Sequence, residues 1–270
     1  MSDRASEFVG SIPTYYDGGL GSVFFADFAD DIARRVAATA PLRVLETAAG
    51  TGIVTRRLRD LLPPEAQLTA TDLNPPMLDV ARGKFRPEEQ VRFEPADATV
   101  LPFADHSFDA VVCQFGVMFF PDRDGAYREV RRVLASGGGY VFSVWDSHRH
   151  NPIGRLITDL LADFFPADPP QFYQVPFGYH RIDPIKEALD EAGFGEITIA
   201  VVKRNPKVAD LPGYARALVY GNPLIDQIRA RGGVDPERVV DALTETLPRE
   251  SGSDPLHIPL QAIVFEASSR

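Results

Sequence analysis

Residues 45–54, LETAAGTGIV, place an acid, a run of small residues and the start of an apolar stretch in sequence. A strand ending at Leu45 must turn tightly into a helix beginning near Ile53. Gly50 and Gly52 allow close backbone approach and positive φ there. The free N–H groups of a helix N-terminus can then meet a phosphate, a carboxylate or a ribose. A phosphate-gripping loop needs Lys and then Ser or Thr after its last glycine, but Gly52 is followed by Ile53-Val54-Thr55. A dinucleotide fingerprint built on Gly50-Thr51-Gly52 lacks its third glycine, because position 55 is Thr55. What remains is Glu46 at a strand end, followed by small residues at alternate positions: Ala48, Gly50 and Gly52. Ala48 is harmless there if its position needs only closeness and a negative φ.

Polar residues recur at other strand ends. Asp72 closes a second apolar run, Asp97 follows a third, and Gln114-Phe115 end a fourth. A carboxylate at such a point can accept two hydrogen bonds from a diol. His148 and His150 follow a fifth run, where an imidazole could take a proton from a hydroxyl or an activated carbon. No Cys/His cluster has metal-ligand spacing, so no metal is expected.

The elements that hold these residues follow from periodicity. Phe24, Phe28, Ile32 and Val36 stand four apart with charges between them, which predicts an amphipathic helix over 23–38. Strands are predicted at 42–46, 67–71, 91–95, 108–114, 140–145, 197–202 and 260–266. Helices are predicted at 53–62, 76–85, 123–134, 153–165 and 183–192. Pro63-Pro64 stop the first of these, Gly137-Gly138-Gly139 close the third, and Asp183 caps the last with Pro184 at its first position. Residues 166–181 read as an irregular loop. Residues 209–247 read as helical pieces broken at Asn222-Pro223, Gly232-Gly233 and Asp235-Pro236. Strands alternating with helices imply a doubly wound α/β fold that binds ligands at the carboxyl ends of its strands.

With the strand ends in register, the sequence resembles the class I S-adenosylmethionine-dependent methyltransferases. Their first motif is an acid followed by three alternate glycines, matched by Glu46, Gly50 and Gly52 with Ala48 in place of the first glycine. Thr71-Asp72-Leu73-Asn74, Pro95-Ala96-Asp97-Ala98, Leu101-Pro102-Phe103, Ser107-Phe108-Asp109 and Glu191-Ala192-Gly193-Phe194 follow in order. The similarity is strong over 40–147 and moderate over 180–202, and nearest to the ubiquinone and menaquinone C-methylating enzymes.

The resemblance implies a Rossmann-like, seven-stranded, mostly parallel sheet with an antiparallel last strand and helical cap inserts. It implies S-adenosylmethionine as cofactor, with S-adenosylhomocysteine as product. Glu46 would hold the methionine part, Asp72 the ribose hydroxyls and Asp97 the adenine amino group. Tyr16 would fold over the cofactor, its hydroxyl reaching the methionine carboxylate. Ala48, Gly50, Thr51, Gly52, Leu73, Met77, Ala98, Gln114 and Phe115 complete the implied cofactor contacts. The domain plan is a lid and helix at 1–40, a cofactor domain at 41–205 with 259–270, and substrate-capping inserts at 151–181 and 206–258. The inserts carry Phe164, Phe165, Phe172, Tyr173, Phe177, Tyr179, Tyr214 and Tyr220, which suit an apolar or aromatic small-molecule methyl acceptor. Aminopropyl transfer would want an acidic pocket, and no acidic cluster stands in the inserts. A cofactor-binding partner subunit without catalysis remains an alternative.

Composition bounds the rest. A net charge of -10 repels polyphosphate, so no nucleic-acid partner is expected, and Arg56-Arg57 and Arg131-Arg132 read as solvated helix faces. The longest apolar run, 110–120, is too short to span a bilayer. The one cysteine, Cys113, excludes an internal disulfide. With no secretory signal in MSDRASEFVG, a cytoplasmic location is expected, and a homodimer stays open.

Overall fold

The apolar run Phe108–Gln114 needs burial on both faces, and it receives it as β4 near the middle of a seven-stranded sheet. The computed structural model describes residues 3–252 and 255–269. Residues 1, 2, 253, 254 and 270, parts of the expected lid segment, second insert and final strand region, lie outside the described residues. The strands are β1 (Arg43–Glu46), β2 (Gln67–Asp72), β3 (Val91–Pro95), β4, β5 (Leu134–Trp145), β6 (Phe194–Arg204) and β7 (Leu260–Ser269), in the order β3-β2-β1-β4-β5-β7-β6. β1 to β5 pair in parallel. β7 runs antiparallel to both β5 and β6, which leaves β6 pointing the same way as β5. The expected doubly wound sheet with an antiparallel last strand is therefore the fold.

The helices are α1 (Ile12–Tyr15), α2 (Ala26–Ala37), α3 (Ile53–Leu61), α4 (Pro75–Arg82), α5 (Arg123–Val133) and α6 (Pro152–Phe164). They continue with α7 (Gln174–Gly178), α8 (Ile182–Glu191), α9 (Leu211–Tyr220), α10 (Leu224–Arg231) and α11 (Pro236–Ser251). From β1 the chain steps outward to β2 and β3, then crosses back to β4 and β5. The flanking helices pack in pairs, α2 on α3 and α5 on α8, as the crossovers of a doubly wound sheet require. The direction reverses between β1 and β4, which opens a crevice at their carboxyl ends.

Four local expectations are corrected. The helix predicted from Val23 begins only at Ala26, because Tyr16–Phe25 winds as a π-helix whose end is closed by the Ala26 N–H on the Gly21 carbonyl. Gly137-Gly138-Gly139 do not cap α5. The chain passes from Val133 straight into β5, and the glycines lie where the β4–β5 register shifts. Helix α8 starts at Ile182 with Arg181 as N-cap, which leaves Asp183 and Pro184 inside its first turn. The loop expected over 166–181 contains α7.

Both long insertions leave the sheet at its carboxyl edge. β5 ends at Trp145, and Arg204 at the end of β6 pairs with Leu260 at the start of β7, so the intervening chain departs from and returns to that edge. Asn151, fully buried, holds the turn into α6: its amide donates to the Asp146 carbonyl at 2.8 Å and the Gln261 carbonyl at 3.0 Å. Helix α9 packs on the π-helical segment, and α11 packs on α9 and α6. A Cβ at Gly19 would clash with Ala217 of α9, so this glycine lets the two elements touch. Among the described residues no helix is long and apolar enough to cross a membrane, and no group of three metal-ligating side chains occurs.

Candidate functional site

The loop after β1 shows why its small residues alternate. Ala48, Gly50 and Gly52 have φ of 51°, 57° and 79°. Each stands in the left-handed region, so the expectation of a negative φ at Ala48 is overturned. An L-residue with a Cβ is strained there by roughly 1–2 kcal/mol. Ala48→Gly is therefore expected to raise the unfolding free energy by about 1 kcal/mol, read by thermal or denaturant melting. An unchanged or lower melting midpoint would refute the strain. The alanine Cβ also sets its neighbour: a Cβ at Gly116 would stand 2.5 Å from it.

Four of the loop's N–H donors are committed within the fold, which leaves few for a phosphate. Thr47 N–H donates to the Val112 carbonyl, Ala49 N–H to Thr71, Gly52 N–H to Ala49 and Gly50 N–H to the Asp72 carboxylate. Gly52 lines none of the cavities at this edge. A Cβ there would lie 2.9 Å from that of Ala81, so it serves the close approach of α3 and α4.

Three cavities meet at the carboxyl edge. The largest, about 250 Å³, lies between the ends of β1, β2 and β4, and Tyr16, Ala48, Gly50, Asp72, Gln114 and Phe115 contribute to its wall. Leu73, Met77, Asp97 and Ala98 form the part of the same wall reached from β2 and β3. Asp72 is buried and accepts from Gly50 N–H at 2.9 Å and Asn74 N–H at 2.8 Å. Burial pushes its carboxyl above the ordinary range, opposed by those same bonds. Asp97 is exposed at the rim, with Oδ1 accepting from the Thr99 N–H and hydroxyl at 2.8 and 2.7 Å.

A second, smaller space of about 20 Å³ has Tyr16, Glu46, Ala48, Thr51 and Gln114 on its wall. Glu46 is 2% exposed, and burial pushes its carboxyl up to about 8. The hydrogen bond from Thr55 Oγ1 at 2.6 Å opposes that shift, and the charge of Asp72 adds to it. Thr51 Oγ1 and Gln114 Oε1 are buried without a hydrogen-bond partner among the described residues. Such atoms cost free energy unless a ligand satisfies them.

The third space, about 70 Å³, is aromatic. It adjoins the first, because Phe8, Tyr16, Phe115 and Phe119 are walls of both. Phe115, with φ of 54°, lies flat on Trp145 at 3.8 Å. Such strain in a bulky residue persists only where packing enforces it. Of the insert aromatics, Phe172, Tyr173 and Phe177 line this chamber. Tyr179 instead meets Tyr127 and Arg123, Tyr220 bonds Glu237, Phe164 lies under Arg238, Phe165 is buried apart from the chamber, and Tyr214 stacks behind Phe24.

The two histidines stand outside these spaces. His148 packs its ring on Phe177 at 5.1 Å with Nε2 3.4 Å from the Tyr173 carbonyl, and His150 is exposed on the turn. Residues the sequence reading did not single out include Phe8, Asn74, Phe119 and Trp145. Asn74 accepts the Phe8 N–H at 3.1 Å and donates to the Ser6 carbonyl at 3.0 Å, which ties the N-terminal segment to the end of β2. Its place beside Asp72 in Thr71-Asp72-Leu73-Asn74 was the available signal.

Residues 45–142 match the family model described as a methyltransferase domain. Over those residues the chain is similar to methyltransferase domains, and S-adenosylmethionine is the cofactor that this similarity implies. In particular it is similar to the demethylmenaquinone methyltransferase of Deinococcus radiodurans, 36% identical over 137 residues that make up 45% of this chain and 56% of that protein. The chain spans about half the length of the curated relatives it matches. A phosphoethanolamine N-methyltransferase of Haemonchus contortus aligns with a TM-score of 0.62 at 18% identity, covering 100% of this chain and 60% of that one. The [4+2]-cyclase SpnF aligns with a TM-score of 0.57 at 19% identity, covering 90% and 81%. These structures share the fold, and their names show that the fold hosts more than one chemistry.

Proposed function

We propose that this chain transfers the methyl group of S-adenosylmethionine to a small, partly apolar molecule held beneath the segments 151–181 and 206–258. The observation that carries this reading is the position of Tyr16, the one side chain on the wall of all three cavities. An acid-lined pocket, a nucleoside-sized cavity and an apolar chamber meet at a single ring.

The donor set fits the cofactor. Its methionine end bears an ammonium and a carboxylate. Glu46 and the unpartnered Gln114 Oε1 are acceptors for the first, and the unpartnered Thr51 Oγ1 is a donor for the second. Asp72, held by two backbone N–H groups, faces the cavity as an acceptor for the ribose hydroxyls. Asp97 at the rim is an acceptor for the adenine amino group, with Leu73, Met77 and Ala98 giving the base apolar contact. When bound, S-adenosylmethionine supplies a methyl carbon made electrophilic by its positive sulfur, and that carbon passes to the acceptor's lone pair as the C–S electrons return to sulfur. Tyr16 stays protonated, because burial and the charges of Asp72 and Asp17 hold its phenol far above neutrality. The chamber aromatics exclude water and orient the acceptor, and orientation alone supplies much of such an acceleration. A proton shed by an O–H acceptor leaves to solvent. Arg56 and Arg132 are paired with carboxylates at 2.7–2.8 Å rather than gathered into a phosphate-binding patch, which supports a small-molecule acceptor.

Calorimetry with S-adenosylmethionine, S-adenosylhomocysteine and NAD should show binding of the first two only. Transfer of labelled methyl to a panel of apolar hydroxylated acceptors then tests turnover. Tight NAD binding, or label that never leaves the cofactor, would overturn the proposal.

A further inference from the structure

We infer that the methyl acceptor is a neutral, flat, one-ring aromatic molecule without a long tail. This rests on the proposed function and names the acceptor class for that site. The walls of the chamber are mostly aromatic rings. Phe115 and Trp145 stack at an interplanar angle of 8°, and Phe119 and Phe172 at 19°. Phe24 and Phe177 close the far side. Offset and edge-on contacts with a flat ring are what such walls provide.

Among the described residues no Asp, Glu, Lys, Arg or His contributes to the chamber wall. Its polar groups at the far end are already satisfied by one another. Tyr173 OH donates to the Leu218 carbonyl at 2.9 Å and accepts from Asn222 Nδ2 at 3.2 Å, while Asn222 Oδ1 accepts the Leu224 N–H at 3.0 Å. A phosphate or carboxylate pushed into this space would lose its hydration with no partner in return, and an ammonium would be left with aromatic rings alone and no counter-charge. A neutral ring loses nothing comparable and gains apolar burial.

Size decides the rest. The chamber's 70 Å³ is less than half the roughly 150 Å³ of an apolar cavity that admits benzene, so even one ring must extend into the neck it shares with the larger cavity. One ring, with its reacting substituent in the neck formed by Phe8, Tyr16, Phe115 and Phe119, is the limit. A fused second ring or a polyprenyl chain would need more space still. Only Phe115 and Phe119 of the chamber wall fall within residues 45–142, which match the methyltransferase-domain family model; the others come from the N-terminal segment and from Trp145 onward.

Trp145 is the sole tryptophan of the chain, so its fluorescence reports the chamber directly. The full chain, saturated with S-adenosylhomocysteine, is titrated with phenol, catechol, choline and a prenylated naphthoquinol. Saturable spectral shifts are expected with phenol and catechol alone. Gly154 lies behind the wall, where a Cβ would stand 2.5 Å from the ring of Phe177. Gly154→Val should push that ring inward and weaken catechol by at least about tenfold. Phe172→Ala should open the chamber and add a saturable response to 2-naphthol. Binding of S-adenosylhomocysteine, followed separately by calorimetry, should persist in every variant that folds. Its loss in the native chain would sink the cofactor reading instead. Saturation by choline or the prenylated naphthoquinol with the phenols silent, or catechol binding indifferent to both substitutions, would overturn the inference.

Discussion

Asp72→Ala is expected to weaken S-adenosylmethionine binding by at least about 100-fold. Two hydrogen bonds from a diol to an ionised acceptor are each worth about 1.5–3 kcal/mol, and roughly 3 kcal/mol in total already corresponds to that factor. The carboxylate has a second task, because it fastens the Gly50 N–H and the Asn74 N–H and so joins the loop after β1 to the end of β2. Part of the loss will therefore come from the loop. The two parts separate in a double cycle with S-adenosylhomocysteine analogues lacking a ribose hydroxyl. Calorimetry should show the deoxy analogues binding the native chain more weakly than the parent. In Asp72→Ala, parent and analogue should bind alike. If the native chain ignores the missing hydroxyls, Asp72 is a loop fastener and the ribose lies elsewhere.

How much of this was legible in the sequence depended on where a residue's partners lie. β4 falls at its predicted bounds because a buried parallel strand reads as a short apolar run, and the half-exposed edge strand β3 falls at its bounds through the alternation of Val91, Phe93 and Pro95 with charged residues. Asp72, Asp97 and Gln114 could be found by counting, since the carboxyl ends of such strands converge in every fold of this type. The π-helical turn at Tyr16–Phe25 could not, because the four-residue spacing of Phe24, Phe28 and Ile32 extends an α-helical pattern backward through it. What holds the wider turn is tertiary: Gly19 against Ala217, and Asp17 paired with Lys84. The positive φ of Ala48 was hidden for a related reason. Residue type records what a position tolerates, whereas the Thr47, Ala49 and Gly50 N–H bonds to neighbouring strands impose the conformation. His148 follows β5 at the reacting edge, yet the Asn151 network turns the chain so that its ring backs onto Phe177. The chamber draws Phe24, Trp145, Phe172 and Asn222 from segments far apart in the chain. No local pattern connects them.

Under the proposed placement of the cofactor's ammonium at Glu46, binding is expected to depend on pH, and the sign follows from the burial of Glu46. Its carboxyl ordinarily titrates near 4.5 and is raised to about 8 in the fold. The folded, ligand-free protein thus favours the neutral acid. Its contribution to stability is fully present below the unfolded value and is lost as pH rises through about 8. At pH 7 the native chain forgoes on the order of 3 kcal/mol relative to a side chain that stays neutral. Glu46→Gln keeps the acceptor for Thr55 Oγ1 and cannot ionise. Stripped of ligand, it should melt above the native protein at pH 8 and level with it at pH 5. With cofactor the order inverts. An ammonium beside Glu46 favours the carboxylate, so binding near pH 7 should expel close to one proton. Calorimetry in two buffers of different ionisation enthalpy counts that proton directly. Glu46→Gln should release none and bind about 10–100-fold more weakly, as expected for a lost charge-assisted hydrogen bond of about 1.5–3 kcal/mol. Equal melting at both pH values together with buffer-independent heats would mean that Glu46 is ionised before the cofactor arrives. The methionine ammonium would then need another explanation for its place in the pocket.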